Sequence, residues 1–165
     1  MNEEEGKMTQ EKVRLTTIND SYDVRTLLNA QPVIVTVIDP RSYTVLYQNG
    51  TGEGQLGKIK GKLCYQNIPK LGNACPFCKM GDAIKTGQVQ SSEVQLPDGT
   101  WLLVQFSPIR KPDGTMDIVE SITNISEQKK REEELSATVA LLLEREEKIA
   151  ALREQVRTLG VEPAA

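Results

Sequence analysis

The sequence predicts an α+β fold in which an antiparallel sheet is followed by one long C-terminal helix. Segments with an apolar period of two are grouped apart from segments with helical spacing, which is typical of this class. The turns Asp98-Gly99 and Asp113-Gly114 join three predicted strands into a meander. Beyond Ile125 neither glycine nor proline occurs before Gly160, so one helix can run through this whole segment.

The first half of the chain predicts a short helix and a β-hairpin. Helical spacing of apolar residues favours a helix over Tyr22–Ala30, which Pro32 ends because the residue before a proline avoids the helical region. The β-branched run Val33–Ile38 predicts a buried strand, and Thr44–Gln48 predicts its partner. The oxygens that can cap the helix belong to Asn19, Asp20 and Ser21.

The middle of the chain predicts loops and small helices before three further strands. Five glycines from Gly50 to Gly61 indicate a flexible connector, since no Gly-Lys-Ser/Thr follows to make a phosphate loop. Helical spacing returns over Lys79–Thr86, with Gly87 as its C-terminal stop. The period then changes to two, and we expect strands over Val89–Leu96, Trp101–Phe106 and Met116–Ile122.

The C-terminal helix is expected to be capped by Asn124 or Ser126 and to reach Leu159, about 50 Å away at 1.5 Å per residue. Its apolar residues repeat every seven positions, with companions three later, and Arg145 interrupts them at mid-length. We therefore predict a parallel dimeric coiled coil. Its alternatives are a helix folded back on its own sheet and a helix paired with a different protein. The predicted seam contains Leu135, Leu142, Ile149, Leu152, Val156 and Leu159.

The composition excludes several classes of protein. The chain has no histidine, so it cannot supply a Ser-His-Asp or Cys-His site, a histidine-ligated zinc or haem, or a phosphoacceptor histidine. Its net charge of −3 leaves no basic field for nucleic acid or anionic lipid. The longest apolar run is too short to span a bilayer, and the acidic first residues do not resemble a secretory signal. We expect a cytoplasmic protein that is not an enzyme.

The order of these elements resembles the PAS family of sensor domains, over about Ser21 to Glu133. The stretch Thr123–Lys130 is similar to the Asp-Ile-Thr-Glu signature that precedes a signalling helix, with Asn124 and Ser126 where Asp and Thr are usual. The other stretches that carry the resemblance are Asn29–Pro32, Val33–Asp39, Tyr47–Asn49, Gly61–Tyr65, Thr86-Gly87, Leu96–Trp101, and Pro108-Ile109 with Asp113-Gly114.

This resemblance implies a five-stranded antiparallel sheet with short helices on one face, a ligand pocket between them, and dimerisation. It divides the chain into a polar segment over residues 1–20, a PAS sensor domain over 21–125, a coiled-coil signalling helix over 126–160 and a tail over 161–165. The implied function is sensory: a redox, metal or small-molecule state biases the sheet, and paired helices relay it. The alternative is a ligand-free dimerisation or scaffold module. Expected partners are a second copy and a kinase or other regulator, with neither nucleic acid nor membrane.

Three cysteines form the most informative chemical pattern and are the candidate site. Cys64, Cys75 and Cys78 are spaced C-x10-C-x2-C. A C-x2-C turn is a natural chelate, so the three thiolates can bind zinc or an iron–sulfur cluster, with Asp82, water or an outside molecule as the fourth ligand. A subset of the PAS family resembles this pattern, with Gly-x-x-Cys-Tyr and a later Cys-x-x-Cys.

Two other interpretations of the cysteines stay open at this point. Cys75 and Cys78 can form a reversible disulfide, with a helix N-terminus lowering the pKa of the first thiol. All three can also be small buried packing residues. Flavin and haem are disfavoured as cofactors. Cys64 lacks the Asn-Cys-Arg-Phe-Leu-Gln surroundings of a flavin-adduct cysteine, and Lys79 stands where covalent haem attachment needs histidine.

Overall fold

The computed structural model describes residues 17–18 and 22–160 and confirms the α+β class with a five-stranded antiparallel sheet. The strands are β1 (Ile34–Asp39), β2 (Thr44–Gln48), β3 (Gln90–Gln95), β4 (Trp101–Arg110) and β5 (Met116–Asn124). The helices are α1 (Val24–Asn29), α2 (Gly50–Leu56), α3 (Cys64–Asn67), α4 (Met80–Thr86) and α5 (Ser126–Thr158). A further short ladder pairs Thr17–Ile18 with Tyr22–Asp23.

The strands are ordered β2-β1-β5-β4-β3, and every neighbouring pair is antiparallel. The two Asp-Gly turns make the β3-β4 and β4-β5 hairpins as expected. Their glycines, Gly99 and Gly114, adopt the left-handed conformation at φ 89° and 83°, which other residues rarely do. The central pairing joins β1 to β5, so strands from the two halves of the domain meet in the middle of the sheet.

The apolar core lies on one face of this sheet, where the short helices cover it. Alternate residues of each strand point to this face, because side chains in a strand alternate between its two sides. The most deeply buried apolar side chains, each at most 2% exposed, include Ile38, Val45, Phe106 and Ile118. The helices α3 and α4 contribute Cys64, Met80 and Ala83 to the same cluster.

Asn49 ties the first helices to the sheet through four side-chain hydrogen bonds. Its Oδ1 accepts from the N–H groups of Val35 (3.0 Å) and Gly52 (2.9 Å). Its Nδ2 donates to the carbonyl oxygens of Leu28 (3.0 Å) and Val33 (2.9 Å). The side chain is fully buried, and these bonds use both donors and the acceptor oxygen of the amide. One residue thereby caps α2, holds the end of α1 and anchors the beginning of β1.

The first seven residues of the glycine-rich segment form a helix, so the expectation of a flexible connector is wrong for Gly50–Leu56. α2 spans Gly50–Leu56 because Asn49 caps it and because its backbone approaches β1 closely. A Cβ on Gly52 would lie 3.0 Å from Gln48 Cγ and 3.2 Å from Ile34 Cγ2, which is tighter than ordinary contacts. Glycine is therefore favoured at this position because a side chain would crowd Gln48 and Ile34, and not because the position needs flexibility.

The first helix begins later than expected. α1 starts after Asp23, whose carboxylate accepts a hydrogen bond of 2.6 Å from the N–H of Thr26. This is the usual chemistry of an N-cap, in which a side-chain oxygen satisfies a free N–H of the first turn. The caps expected at Asn19, Asp20 and Ser21 lie outside the described residues.

α5 is a helix of 33 residues in a separate unit of the chain. Ile125 occupies its N-cap position, so the expectation that Asn124 or Ser126 caps the helix is wrong. Opposite charges four residues apart pair along its surface, as Lys148 does with Glu144 at 2.6 Å. Neither α5 nor any other helix in the described part of the chain is long and apolar enough to cross a membrane.

The six residues of the predicted seam are 38% to 77% exposed: Leu135, Leu142, Ile149, Leu152, Val156 and Leu159. The coiled coil itself stays a prediction.

Replacing Asn49 by alanine is expected to lower the free energy of unfolding by roughly 3 kcal/mol, because it leaves buried N–H and carbonyl groups without partners. Urea unfolding followed by circular dichroism measures this. Asn29→Ala is the matched control. Asn29 accepts one exposed bond from the N–H of Gly50, so its loss is expected to cost less than about 1 kcal/mol. Equal losses in the two variants would contradict the anchoring role.

Candidate ligand pocket

A cavity of about 360 Å³ lies between the inner face of the sheet and the segments that cover it. The sheet contributes side chains from β1, β3, β4 and β5 to its wall. The cover comes from α2, from the first residue of α3, and from the loop that precedes α4. Most of the lining is apolar, including Ile34, Leu56, Ile68, Phe77, Val94, Leu102, Val104 and Ile122. Its size and apolar walls are those of a small-molecule site.

Glu120 is the polar side chain that stands out in this wall. It lies on β5, directly opposite Thr36 on β1 and Phe106 on β4. It is only 7% exposed, and Thr36 is fully buried. The Thr36 hydroxyl donates to Glu120 Oε2 at 3.1 Å. The carboxyl group is therefore held in one orientation at the centre of the sheet, facing the cavity.

Burial raises the pKa of Glu120 from its ordinary value of 4.5 to about 7, and the hydrogen bond from Thr36 opposes part of this shift. The cause is the loss of hydration, which penalises the charged carboxylate more than the neutral acid. No cation in the described residues offsets it. The group is poised to change its charge near neutral pH, which is a common property of functional sites.

A second buried carboxylate on β5, that of Asp117, has the cationic partner that Glu120 lacks among the described residues. Asp117 lies three residues earlier, on the opposite face of the sheet, and is 6% exposed. Its Oδ1 is 3.0 Å from Lys111 Nζ, so its charge is paired. Of these two carboxylates, only that of Asp117 has a cation beside it among the residues that the structure describes.

The structure places two of the three candidate cysteines in the wall of this cavity. Cys64 is buried at the beginning of α3, and Cys75 is half-buried in the loop before α4. Cys78 packs against the apolar core close by, and its N–H donates to the Cys75 carbonyl at 3.0 Å. The loop is joined to β3 by the Ser92 hydroxyl, which donates to the carbonyl of Phe77 at 2.9 Å.

The pKa values of the three thiols are raised, whereas a reactive cysteine is expected to have a lowered pKa. Burial raises the pKa of Cys64 to about 12 and that of Cys75 to about 11, and it raises the pKa of Cys78 as well. The nearby carboxylate of Glu120 adds to each increase. The expected lowering at a helix N-terminus is wrong, because α4 begins only at Met80, after the loop that contains Cys75.

The three thiols are free in this structure. Among the described residues, no three Cys, Asp or Glu side chains form a group that could hold a metal ion. As they are arranged here, the sulfurs do not provide the ligand set of a zinc ion or an iron–sulfur cluster. Both assignments, and the reversible disulfide, stay predictions.

Glu120 was missed by the sequence analysis, although the sequence carried a signal for it. In Ile118-Val119-Glu120-Ser121-Ile122 the two-residue period places Glu120 on the same face as the two isoleucines. A single acidic residue between two core residues of a strand indicates a buried charge. The period does not reveal that Thr36 lies opposite, or that a cavity lies above.

Solved structures provide the comparison with known proteins, because no family model and no curated sequence matches this chain. An RNA-binding light-oxygen-voltage receptor is 19% identical with a TM-score of 0.52, and the alignment covers 73% of this chain and 37% of that one. A sensory box sensor histidine kinase from Vibrio cholerae is 16% identical over 73% of this chain and 93% of that one, with a TM-score of 0.47. A PAS domain from Colwellia psychrerythraea is 13% identical over 62% and 93%, with a TM-score of 0.45.

The fold is PAS-like. At these identities the similarity concerns architecture alone, and this chain spans little more than a third of the RNA-binding receptor. The cavity of the PAS-like domain lies on the helix-covered side of the sheet, where the resemblance implied a ligand pocket. Membership of the subset with Gly-x-x-Cys-Tyr and Cys-x-x-Cys stays a prediction.

Replacing Glu120 by glutamine is expected to remove a pH-dependent loss of stability. Between the unfolded pKa of 4.5 and the folded pKa of about 7 the native state binds more protons, so the stability of the parent protein falls as the pH rises through this window. The glutamine variant is expected to match the parent near pH 4, below the unfolded pKa, and to exceed it near pH 8 by up to about 3 kcal/mol.

Urea unfolding at both pH values measures the difference. Asp117→Asn is the control. Asp117 lies on the same strand, and its replacement removes the ion pair with Lys111, so this variant is expected to be less stable than the parent at both pH values. Parallel pH profiles for the parent and the Glu120 variant would show that this carboxyl group is not perturbed by burial.

Proposed function

We propose that this chain is a sensory module whose PAS-like domain binds a small molecule and whose C-terminal helix relays the bound state to a second copy. The observation that supports this most strongly is the cavity of about 360 Å³ with Glu120 buried in its wall. Keeping a carboxylate in an apolar core, with no cation beside it among residues 17–18 and 22–160, costs stability, so its presence favours a role in binding over a role in packing.

The proposed output element is α5. A helix of 33 residues with exposed leucines at heptad positions can be covered by a parallel second copy. A change of helix register or crossing within such a pair is a common way to transmit a signal. A kinase or other regulator is the expected recipient, and we propose a cytoplasmic, non-enzymatic protein without a nucleic-acid partner.

A second candidate function is sensing through the cysteines. It is favoured by the position of Cys64 and Cys75 in the cavity wall, with Cys78 adjacent. Against it stand the raised pKa values, because the thiolate is the form that reacts with oxidants and binds metals. A ligand-free scaffold module is the remaining alternative, and it assigns no role to Glu120.

Self-association through the seam is expected to depend on Leu142 and not on its neighbour Leu143. The two side chains are 54% and 57% exposed, but only Leu142 lies at a seam position. Leu142→Asp is expected to shift the mass in solution from dimer to monomer, while Leu143→Asp stays dimeric. Light scattering after size exclusion measures both. A monomeric parent, or equal behaviour of the two variants, would refute the proposed relay.

The cysteines are expected to react slowly while the protein is folded. With pKa values of about 12 and about 11, Cys64 and Cys75 hold little thiolate at pH 8, so alkylation by iodoacetamide should be slower than in urea by about three orders of magnitude at Cys64 and about two at Cys75. Mass spectrometry of timed samples measures the rates for each cysteine. Fast alkylation of the folded protein would favour the second candidate function, as would stoichiometric zinc, or iron with sulfide, in anaerobically purified protein.

A further inference from the structure

The charged side chains in the cavity wall are acidic. Among the described residues that line it there are two carboxylates, Glu120 and Asp98, and no lysine or arginine. Asp98 is exposed, and its Oδ1 accepts from the N–H of Thr100. Glu120 lies deep between the strands, so the negative charge extends from the exposed turn to the inner wall. An anionic ligand would meet repulsion at both positions.

The carboxylate of Glu120 can also accept more hydrogen bonds than the described residues donate to it. Within the described part of the chain its hydrogen-bond partner is the Thr36 hydroxyl, which donates to Oε2, and no cation pairs with it. A carboxylate more than nine-tenths buried normally has a cation or several N–H donors around it. Asp117, on the other face of the same strand, has such a partner in Lys111. Within the part of the chain that the structure describes, the cavity is the open space that Glu120 lines and from which a partner can approach it.

The rest of the wall restricts what can carry that charge. Apolar side chains from four strands, from α2 and from the loop before α4 make up most of the lining of the cavity that Glu120 faces. A fully hydrated ion gains little from such a surface, whereas a molecule with an apolar body buries hydrocarbon and directs one polar group at Glu120.

We propose that the cavity binds a small organic amine whose ammonium group pairs with Glu120 and whose apolar body packs against Ile34, Phe77, Val104 and Ile122. This inference rests on the proposed sensory function and adds to it the chemical class of the ligand. The ammonium group donates to the carboxylate that Thr36 holds in place, forming a charge-assisted bond. Because the pair is shielded from water, it discriminates strongly against neutral and anionic analogues.

The test uses probes that differ only in the charged group. Phenethylamine, tryptamine and cyclohexylmethylamine are each compared with an alcohol and a carboxylate of the same body, in buffer with a chelator that removes metal ions. Ligand-observed NMR identifies binders, and calorimetry measures their affinity for the full chain. Amines are expected to bind about tenfold or more tightly than the matched alcohols, and carboxylates weakest.

Three variants locate the effect. Glu120→Gln is expected to abolish the preference for amines while affinity for the alcohols changes less than about threefold. Thr36→Val, which removes the hydroxyl that orients the carboxylate, is expected to reduce the preference. Asp117→Asn, on the opposite face of β5, is expected to leave it unchanged. Circular dichroism confirms that each variant is folded, and amide shifts report where the probes bind.

The outcomes separate this inference from the function on which it rests. Probes that bind the cavity without favouring amines, or a preference that survives in Glu120→Gln, would overturn the amine assignment and leave a ligand-sensing domain. Absence of binding by every class of probe would overturn the ligand-sensing function together with it. An amine preference lost only in the Glu120 and Thr36 variants supports both.

Discussion

The pairing of β1 with β5 is the interaction on which the rest of the domain depends. It aligns Ile34 with Ile122, Thr36 with Glu120 and Ile38 with Ile118, so the core residues of both strands face the same side. A slip of one residue would turn either set to the opposite face and disrupt the core. Since Thr36 and Glu120 are 84 residues apart in the chain, this register has to be stabilised by the whole sheet and not by a local turn.

The same register explains why the domain has a cavity and not a filled core at this point. Glu120 occupies a position where an isoleucine would complete the apolar layer between Thr36 and Phe106. Its carboxyl group is held by Thr36, while Asn49 keeps α1 and α2 anchored beside β1. The stability lost by burying a carboxyl group is offset by the aliphatic core around it, so the domain tolerates a polar side chain that packing alone does not favour.

The cysteines show how a pattern and its surroundings can point to different chemistry. A C-x2-C turn with a third cysteine upstream is typical of metal or redox sites, and the structure does bring the three residues into one region around the cavity. Burial and the neighbouring carboxylate of Glu120 nevertheless favour neutral thiols. A cation beside Glu120 would weaken that effect, because it would offset the carboxylate charge that disfavours the thiolates.

By itself the sequence determined the features that depend on neighbours along the chain. The Asp-Gly turns, the β-branched strand β1, the hairpin strands and the long helix α5 were all predicted, since turn chemistry and periodicity act over a few residues. α2 was missed because its glycines disfavour a helix, and the close packing of Gly52 against Ile34 that accounts for one of them is a tertiary contact. Only the tertiary structure decided that Glu120 lies opposite Thr36 and beside the thiols, with no cation next to it in the described part of the chain. Those properties depend on distances between remote residues and on their shared exclusion from water, which periodicity does not encode.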